Sequence, residues 1–220
     1  CSSDLTIHHY LKGTEVKVAD DQTGVETVGH TLTANKSSVL YEAYANAEVD
    51  SYSPEQTITI AATGNVITVY YTVPLTITAK DASKPYDGTP LIETGFTATG
   101  LVNGNTADKL ALSMTAKSTI TNVGTQPNVI DQTTVKYDGG AIPTYYTVAY
   151  EPGTLTITAS ETEVVVTIVG NTKTETYDGT EQSVTGYTVE SISNDLYKVD
   201  YIGFTGEATA KGTDTGDRKS

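Results

Sequence analysis

From Val66 to Val73 the chain alternates. Ile67, Val69, Tyr71 and Val73 fall on one side, and Val66, Thr68, Tyr70 and Thr72 on the other. A period of two belongs to an extended strand, whose successive side chains point to opposite faces. The same alternation runs through Thr57-Ile58-Thr59-Ile60, Leu75-Thr76-Ile77-Thr78 and Leu155-Thr156-Ile157-Thr158, and a further apolar run spans Val164 to Val169. Threonine accounts for 41 of the 220 residues. Thr, Val, Ile and Tyr suit a pleated, half-buried surface. The predicted class is all-β. One segment departs from it: Ser38 is placed to cap a short helical turn over Val39–Tyr44, where apolar residues recur three and four apart.

Turn residues separate the strands. Lys12-Gly13, Thr23-Gly24, Gly64-Asn65, Asp87-Gly88, Asn103-Gly104, Asp138-Gly139-Gly140 and Asp178-Gly179 all read as turns, because Asn, Asp and Gly tolerate positive φ. Two motifs recur. Leu-Thr-Ile-Thr stands at 75–78 and 155–158, and Tyr-Asp-Gly-Thr at 86–89 and 177–180. The recurrence predicts three units: 1–74, 75–159 and 160–220. Val73-Pro74-Leu75 leaves almost no slack between the first two, so the expected arrangement is an elongated tandem array. The third unit has no counterpart of Gly153–Thr158 before a polar tail, and is expected to be a truncated repeat of a longer protein. Its sheet should leave an open edge or an uncovered apolar face at Val164, Val166, Ile168, Tyr187 or Ile202.

Composition narrows the function. Acids outnumber bases 27 to 13, a net charge of −14, which argues against nucleic acid, whose phosphates need a basic face. No run of apolar residues is long enough for a membrane-spanning helix. A single cysteine forbids an internal disulfide and a thiolate zinc cluster. No nucleophile–base motif, phosphate loop or zinc-binding helix motif occurs. The chain is therefore expected to be non-catalytic, with no cofactor and no metal site.

His8 and His9 point to opposite faces of one strand and cannot chelate one ion together; one faces the core and the other solvent. Asp20-Asp21 with Gln22 and Gly24 offers oxygen ligands but lacks the carboxylate spacing of a calcium loop, and reads as an ordinary turn. Tyr-Asp-Gly-Thr reads as architecture, with Asp bonding the backbone two residues on. Lys80 and Lys136 lie near strands, where some surface domains form Lys–Asn cross-links, but neither has a partner motif, so both are read as solvated. Cys1 followed by Ser2-Ser3 fits a lipoprotein start, but an arbitrary fragment start is the favoured reading.

Three groups of residues carry a resemblance. Leu5-Thr6-Ile7-His8-His9-Tyr10-Leu11-Lys12-Gly13-Thr14, Val28-Gly29, Asp50-Ser51-Tyr52-Ser53-Pro54 and Gly64-Asn65-Val66-Ile67-Thr68-Val69-Tyr70-Tyr71 resemble the mucin-binding-protein (MucBP-like) repeat of Gram-positive surface proteins. Tyr86-Asp87-Gly88-Thr89, Asn122-Val123-Gly124, Tyr146-Thr147-Val148 and Gly153-Thr154-Leu155-Thr156-Ile157 resemble the MBG-type repeat of bacterial surface proteins. In the third unit Tyr177-Asp178-Gly179-Thr180 and Lys211-Gly212-Thr213 match the same repeat. The resemblance implies β-grasp-like or Ig-like small sheets in a secreted, cell wall-associated adhesin of gut-associated Firmicutes, with host mucin or other glycans as partners. Aromatic faces stack on sugar rings, which makes Tyr41, Tyr44 and Tyr52 the candidate ligand-binding residues. A pure spacer without ligand, and an accessory β module of a secreted carbohydrate-active enzyme, are the alternative functions.

Overall fold

A computed structural model describes residues 1–203 and 208–213. Of the tail Lys211–Ser220, expected to be polar and without a closing strand, Lys211 and Gly212 lie in a short strand, and Asp214 to Ser220 lie outside the described residues. The chain divides into two compact units, one of residues 1–84 with 90–158, the other of residues 85–89 with 159–220.

In the first unit, β1 (Ser2–Leu11), β2 (Gln22–Thr27), β3 (Thr31–Thr33), β4 (Glu48–Ser53), β5 (Thr57–Thr59) and β6 (Asn65–Ala79) come first. β6 is 15 residues long and joins Val66–Val73 and Leu75–Thr78 into one strand. Its inward face is Ile67, Val69, Tyr71, Val73, Leu75, Ile77 and Ala79, none more than 3% exposed. The period-two pattern is thus kept straight through the expected joint at 74. The neighbours change there instead. Leu5–Leu11 of β1 runs parallel to Asn65–Tyr71, and β4 pairs the same half antiparallel, from Glu48 opposite Thr72 to Ser53 opposite Thr68. The order β2-β1-β6-β4, with first and last strands parallel in the middle, is the β-grasp-like arrangement.

The same unit continues with β7 (Ala82–Pro85), β8 (Phe96–Thr99), β9 (Leu110–Ala111), β10 (Gly124–Asn128), β11 (Lys136–Tyr137), β12 (Tyr146–Glu151) and β13 (Gly153–Thr158). β12 runs parallel to Val73–Thr78 of β6, and β8 pairs Thr76–Ala79 antiparallel. β10, β13 and β7 form a second sheet in that order. Pro74 falls in the gap between β4 and β8 on the antiparallel edge of β6, where its missing N–H interrupts no ladder bond to either strand. One apolar cluster crosses the change of partners, from Ile7 and Leu11 through Tyr71 to Leu75, Ile77 and Tyr146.

The second unit holds β14 (Val166–Gly170), β15 (Gln182–Thr185), β16 (Tyr187–Ile192) and β17 (Thr209–Gly212). They form two two-stranded sheets, β14-β16 and β15-β17. Among the described residues of 159–220 none is buried. Ile168 is 43% and Tyr187 37% exposed, in keeping with the uncovered apolar face expected there.

Two local expectations are corrected. The helical turn is a single 3-10 turn, Glu42–Tyr44, entered from Tyr41 rather than capped by Ser38; two tyrosines and a valine are weak helix formers. Thr23-Gly24 is not a turn. Gly24 lies inside β2 opposite Leu5, because the chain reverses earlier. The other turns hold: Asn103 and Asp138 have φ of 56° and 48°, each followed by a positive-φ glycine. In both Tyr-Asp-Gly-Thr copies the Asp carboxylate accepts from the Thr N–H at 2.9 Å and the Thr hydroxyl at 2.7 Å.

Gly100 fixes how β8 leaves β6. Its φ is +94°, and a Cβ there would overlap the Pro74 carbonyl oxygen. Gly139 has φ +80° with open space around it. Gly100→Ala is expected to lower the stability of the first unit by about 2–4 kcal/mol, and Gly139→Ala by about 1–2 kcal/mol. Denaturant unfolding followed by tyrosine signals checks the difference; equal losses would show that the close approach to Pro74 is not required.

Candidate functional site

β1 places alternate side chains on two surfaces. Ile7, His9 and Leu11 turn inward, while His8 and Tyr10 stay partly exposed on the other face. The His8 and Tyr10 rings stack, with centroids 5.4 Å apart and planes 18° from parallel. The segment after β1 folds back over this face: Lys17 bridges Tyr10, and the Val18 N–H donates to the His9 carbonyl at 3.0 Å. That return sets Asp21 between the Lys17 ammonium and the His8 ring. Lys17 Nζ donates to Asp21 Oδ2 at 2.8 Å. His8 Nδ1 lies 3.1 Å from Asp21 Oδ1, an ion-pair distance without an aligned hydrogen bond. The Lys17 ammonium, with a smaller contribution from His8, holds the Asp21 carboxyl below its usual range.

Asp20 completes the patch. It accepts the Tyr41 hydroxyl at 2.6 Å, and this bond raises the phenol above its ordinary pKa. The Tyr41 N–H donates to the Val18 carbonyl at 2.8 Å, which ties the tyrosine to the same returning segment. The product is a half-open surface of two tyrosines, an imidazole, two carboxylates and an ammonium. The side chains of Asp20 and Asp21, read as ordinary turn residues, are taken up by Tyr41, Lys17 and His8.

The three candidate tyrosines part company. Tyr41 is exposed. Tyr52, on β4, is half-buried, and its hydroxyl accepts from Gln56 Nε2 at 3.3 Å. Tyr44 is 8% exposed and belongs to the apolar core. It ends the 3-10 turn pointing inward, so it cannot offer a face to a sugar ring and leaves the candidate set. Tyr10 and Lys17 were not singled out from the sequence. The available signal was that Tyr10 stands two residues from His8, on the same face of a strand. Lys17 needed the tertiary return and had none. Lys80 and Lys136 are exposed, as expected. Among the described residues no three His, Cys, Asp or Glu side chains converge as ligands of one ion.

His9 carries the opposite side of β1. It is fully buried, with Nδ1 2.9 Å from the Tyr71 hydroxyl. That hydroxyl accepts from the Ser37 N–H at 2.9 Å. The Tyr71 hydroxyl thus sits between the Ser37 N–H and His9 Nδ1, while His9 Nε2 is buried without a partner, surroundings that favour the neutral imidazole. Burial pushes the His9 pKa down.

Residues 75–156 match the MBG domain (YGX type) family. The match runs from the second half of β6 into β13, to a family of repeat-type modules. Residues 1–74 and 157–220 lie outside it. No curated protein matches the chain.

The buried pair gives a pH dependence of definite sign. His9 has a folded pKa below its ordinary 6.5, so its contribution to stability is complete above pH 6.5 and is lost as the pH falls below it. Unfolding free energies measured from about pH 7 to about pH 5 should decline, and His9→Asn should flatten that decline. Tyr71→Phe leaves the Ser37 N–H without its acceptor and should cost about 1–3 kcal/mol at neutral pH. A wild-type profile flat across this range would contradict the buried neutral imidazole.

Proposed function

We propose that the chain is a load-bearing, non-catalytic repeat segment of an extracellular, cell wall-associated bacterial adhesin, whose first module contacts host mucin or other glycans. The direction of the strands carries this reading. In the first module the chain enters through β1 and leaves through β6, and these are parallel neighbours over seven residue pairs. In the second it enters through β6 and leaves through β12 and β13, and β12 is again parallel to β6, over six pairs. Tension between the ends of such a module pulls the two neighbouring strands in opposite senses along their ladder. Every interstrand bond is then loaded together, in shear, rather than one at a time. A segment that transmits force between a surface and a distal head needs this arrangement, and the match of residues 75–156 to a repeat-type module agrees with it.

The glycan part rests on the MucBP-like resemblance of residues 1–74 and on the Tyr41 patch. The Tyr41 ring can stack on the C–H face of a sugar, while Asp20 and Asp21 accept sugar hydroxyls beside it. Tyr52 supplies a second aromatic ring on the same module.

Two experiments test the two parts. Single-molecule pulling from Cys1 and Thr158 should require about twice the rupture force, or more, of pulling from Cys1 and Val28, which unzips the β1-β2 hairpin. Equal forces would remove the mechanical argument. On mucin O-glycans, the chain should bind and Tyr41→Ala should weaken binding by about tenfold. Absence of binding with the shear resistance intact would leave a spacer without ligand.

A further inference from the structure

Residues 1–74 hold three lysines and no arginine against nine Asp or Glu, a formal charge of 3 − 9 = −6 with histidine neutral. Each of the three lysines pairs with a carboxylate. Lys12 Nζ stands 2.8 Å from Asp50 Oδ1, Lys17 Nζ 2.8 Å from Asp21 Oδ2 and Lys36 Nζ 2.9 Å from Glu48 Oε1. The two partly exposed imidazoles also stand beside carboxylates, His8 at 3.1 Å from Asp21 and His30 at 3.3 Å from Glu26. Every basic side chain at the surface of this segment is thus already matched by an acid, and the acids are in excess.

The Tyr41 patch lies inside this field. Asp20 is exposed, and one of its oxygens holds the Tyr41 hydroxyl at 2.6 Å. This bond is the main cause of the raised Tyr41 pKa, and the Asp21 charge adds to it. A sugar stacked on Tyr41 meets the field of both carboxylates, which salt screens over about 8 Å at physiological ionic strength. The ammonium of the patch, Lys17, cannot serve an anionic ligand without leaving Asp21, whose side chain is only 24% exposed. Exchanging one carboxylate for another gains little, and like charges brought together across an interface repel. Hydroxyls meet no such obstacle. A carboxylate accepts their protons in short, charge-assisted bonds, and the C–H face of a sugar ring needs only the aromatic surface.

We infer that the Tyr41 patch selects neutral glycan ends, hexose or N-acetylhexosamine, and rejects glycans capped by a carboxylate or a sulfate. The inference rests on the glycan reading of residues 1–74 given above and adds its charge specificity. Tyr41 supplies the stacking face and Asp20 the hydroxyl acceptor. Asp20 and Asp21, within a segment of net negative charge, exclude the anion. Lys17 is not a ligand group; it holds Asp21 and the returning segment in place.

The test measures binding of the 220-residue chain at neutral pH to two probes: a mucin-type O-glycan ending in galactose, and the same glycan capped with sialic acid. In about 0.15 M salt the uncapped glycan should bind about tenfold more tightly or better. In about 1 M salt, where the Debye length is about 3 Å, that ratio should fall to about two. Asp20→Asn keeps a side-chain oxygen for the Tyr41 hydroxyl and removes the charge, so at the lower salt it should reduce the ratio to about three or less. Equal binding of the two probes, or tighter binding of the capped one, would overturn the inference and leave the glycan reading standing. A ratio that Asp20→Asn does not change would overturn its assignment to this patch. Binding of neither probe would overturn the glycan reading, and the inference with it.

Discussion

The first unit depends on one backbone ladder, that of β6. A strand in the middle of a sheet must have its N–H and C=O groups bonded on both edges, since buried unpaired backbone is costly. β6 meets this along most of its 15 residues by using two sets of partners in succession, β1 with β4 and then β12 with β8. Neither sheet has a central strand of its own. The two modules are therefore welded through covalent backbone and not through a linker, and Tyr71 at 0% and Val73 at 3% exposure bury the seam. A hinge at this point would have to break the ladder on one side or the other. That rigidity and the parallel pairing of entry and exit strands are two consequences of the same strand.

The alternation that made this strand legible in the sequence also concealed its length. Val66–Val73 and Leu75–Thr78 are both periodic, but a proline between them reads as a boundary, because proline is usually excluded from central strands. It is tolerated because the change of partners opens a gap in the antiparallel ladder just at Pro74. The all-β class, most turns and the opposite faces of His8 and His9 followed from residue pattern alone, as each depends on neighbours in the chain. The candidate surface followed less well. Tyr41 was legible as an aromatic residue near a turn, and Tyr44, three residues on, had the same credentials. Only the inward direction of the 3-10 turn separates them. Tyr10 and Lys17 join the patch through the return of residues 17–21, a long-range effect that no local pattern encodes.

Charge is arranged to serve the fold on one side of β1 and the surface on the other. His9, Tyr71 and the Ser37 N–H form a buried polar chain inside an apolar core. Such a chain adds little net stability, but each member is expensive to leave unpaired, and so it fixes how the 34–44 segment sits over the sheet. On the other face of the same strand His8 and Tyr10, the residues either side of His9, meet Asp21 and Lys17 at a partly exposed surface, where ion pairs contribute little to stability. An exposed cluster that the fold does not need for its stability is free to be a contact surface.

Among its described residues the second unit shows a related pair of strands without the partners that β6 has on its parallel edge. Its β14-β16 pair follows the β6-β8 register over three pairs before shifting between Thr167 and Ile168, and its Asp178-Gly179-Thr180 turn repeats the side-chain bonds of Asp87-Gly88-Thr89. Local chemistry is therefore sufficient to set the turn and the antiparallel pair. It is not sufficient to bury them. A hairpin-like pair with one covered edge keeps its register but buries no residue, because a two-stranded sheet has no second layer to close against. In the first unit that layer arrives with β12 and β13, more than 60 residues after β6 in the chain. The core of this repeat is thus made by its most distant contact, and the turn motifs that identify the repeat in a sequence belong to the part that forms without it.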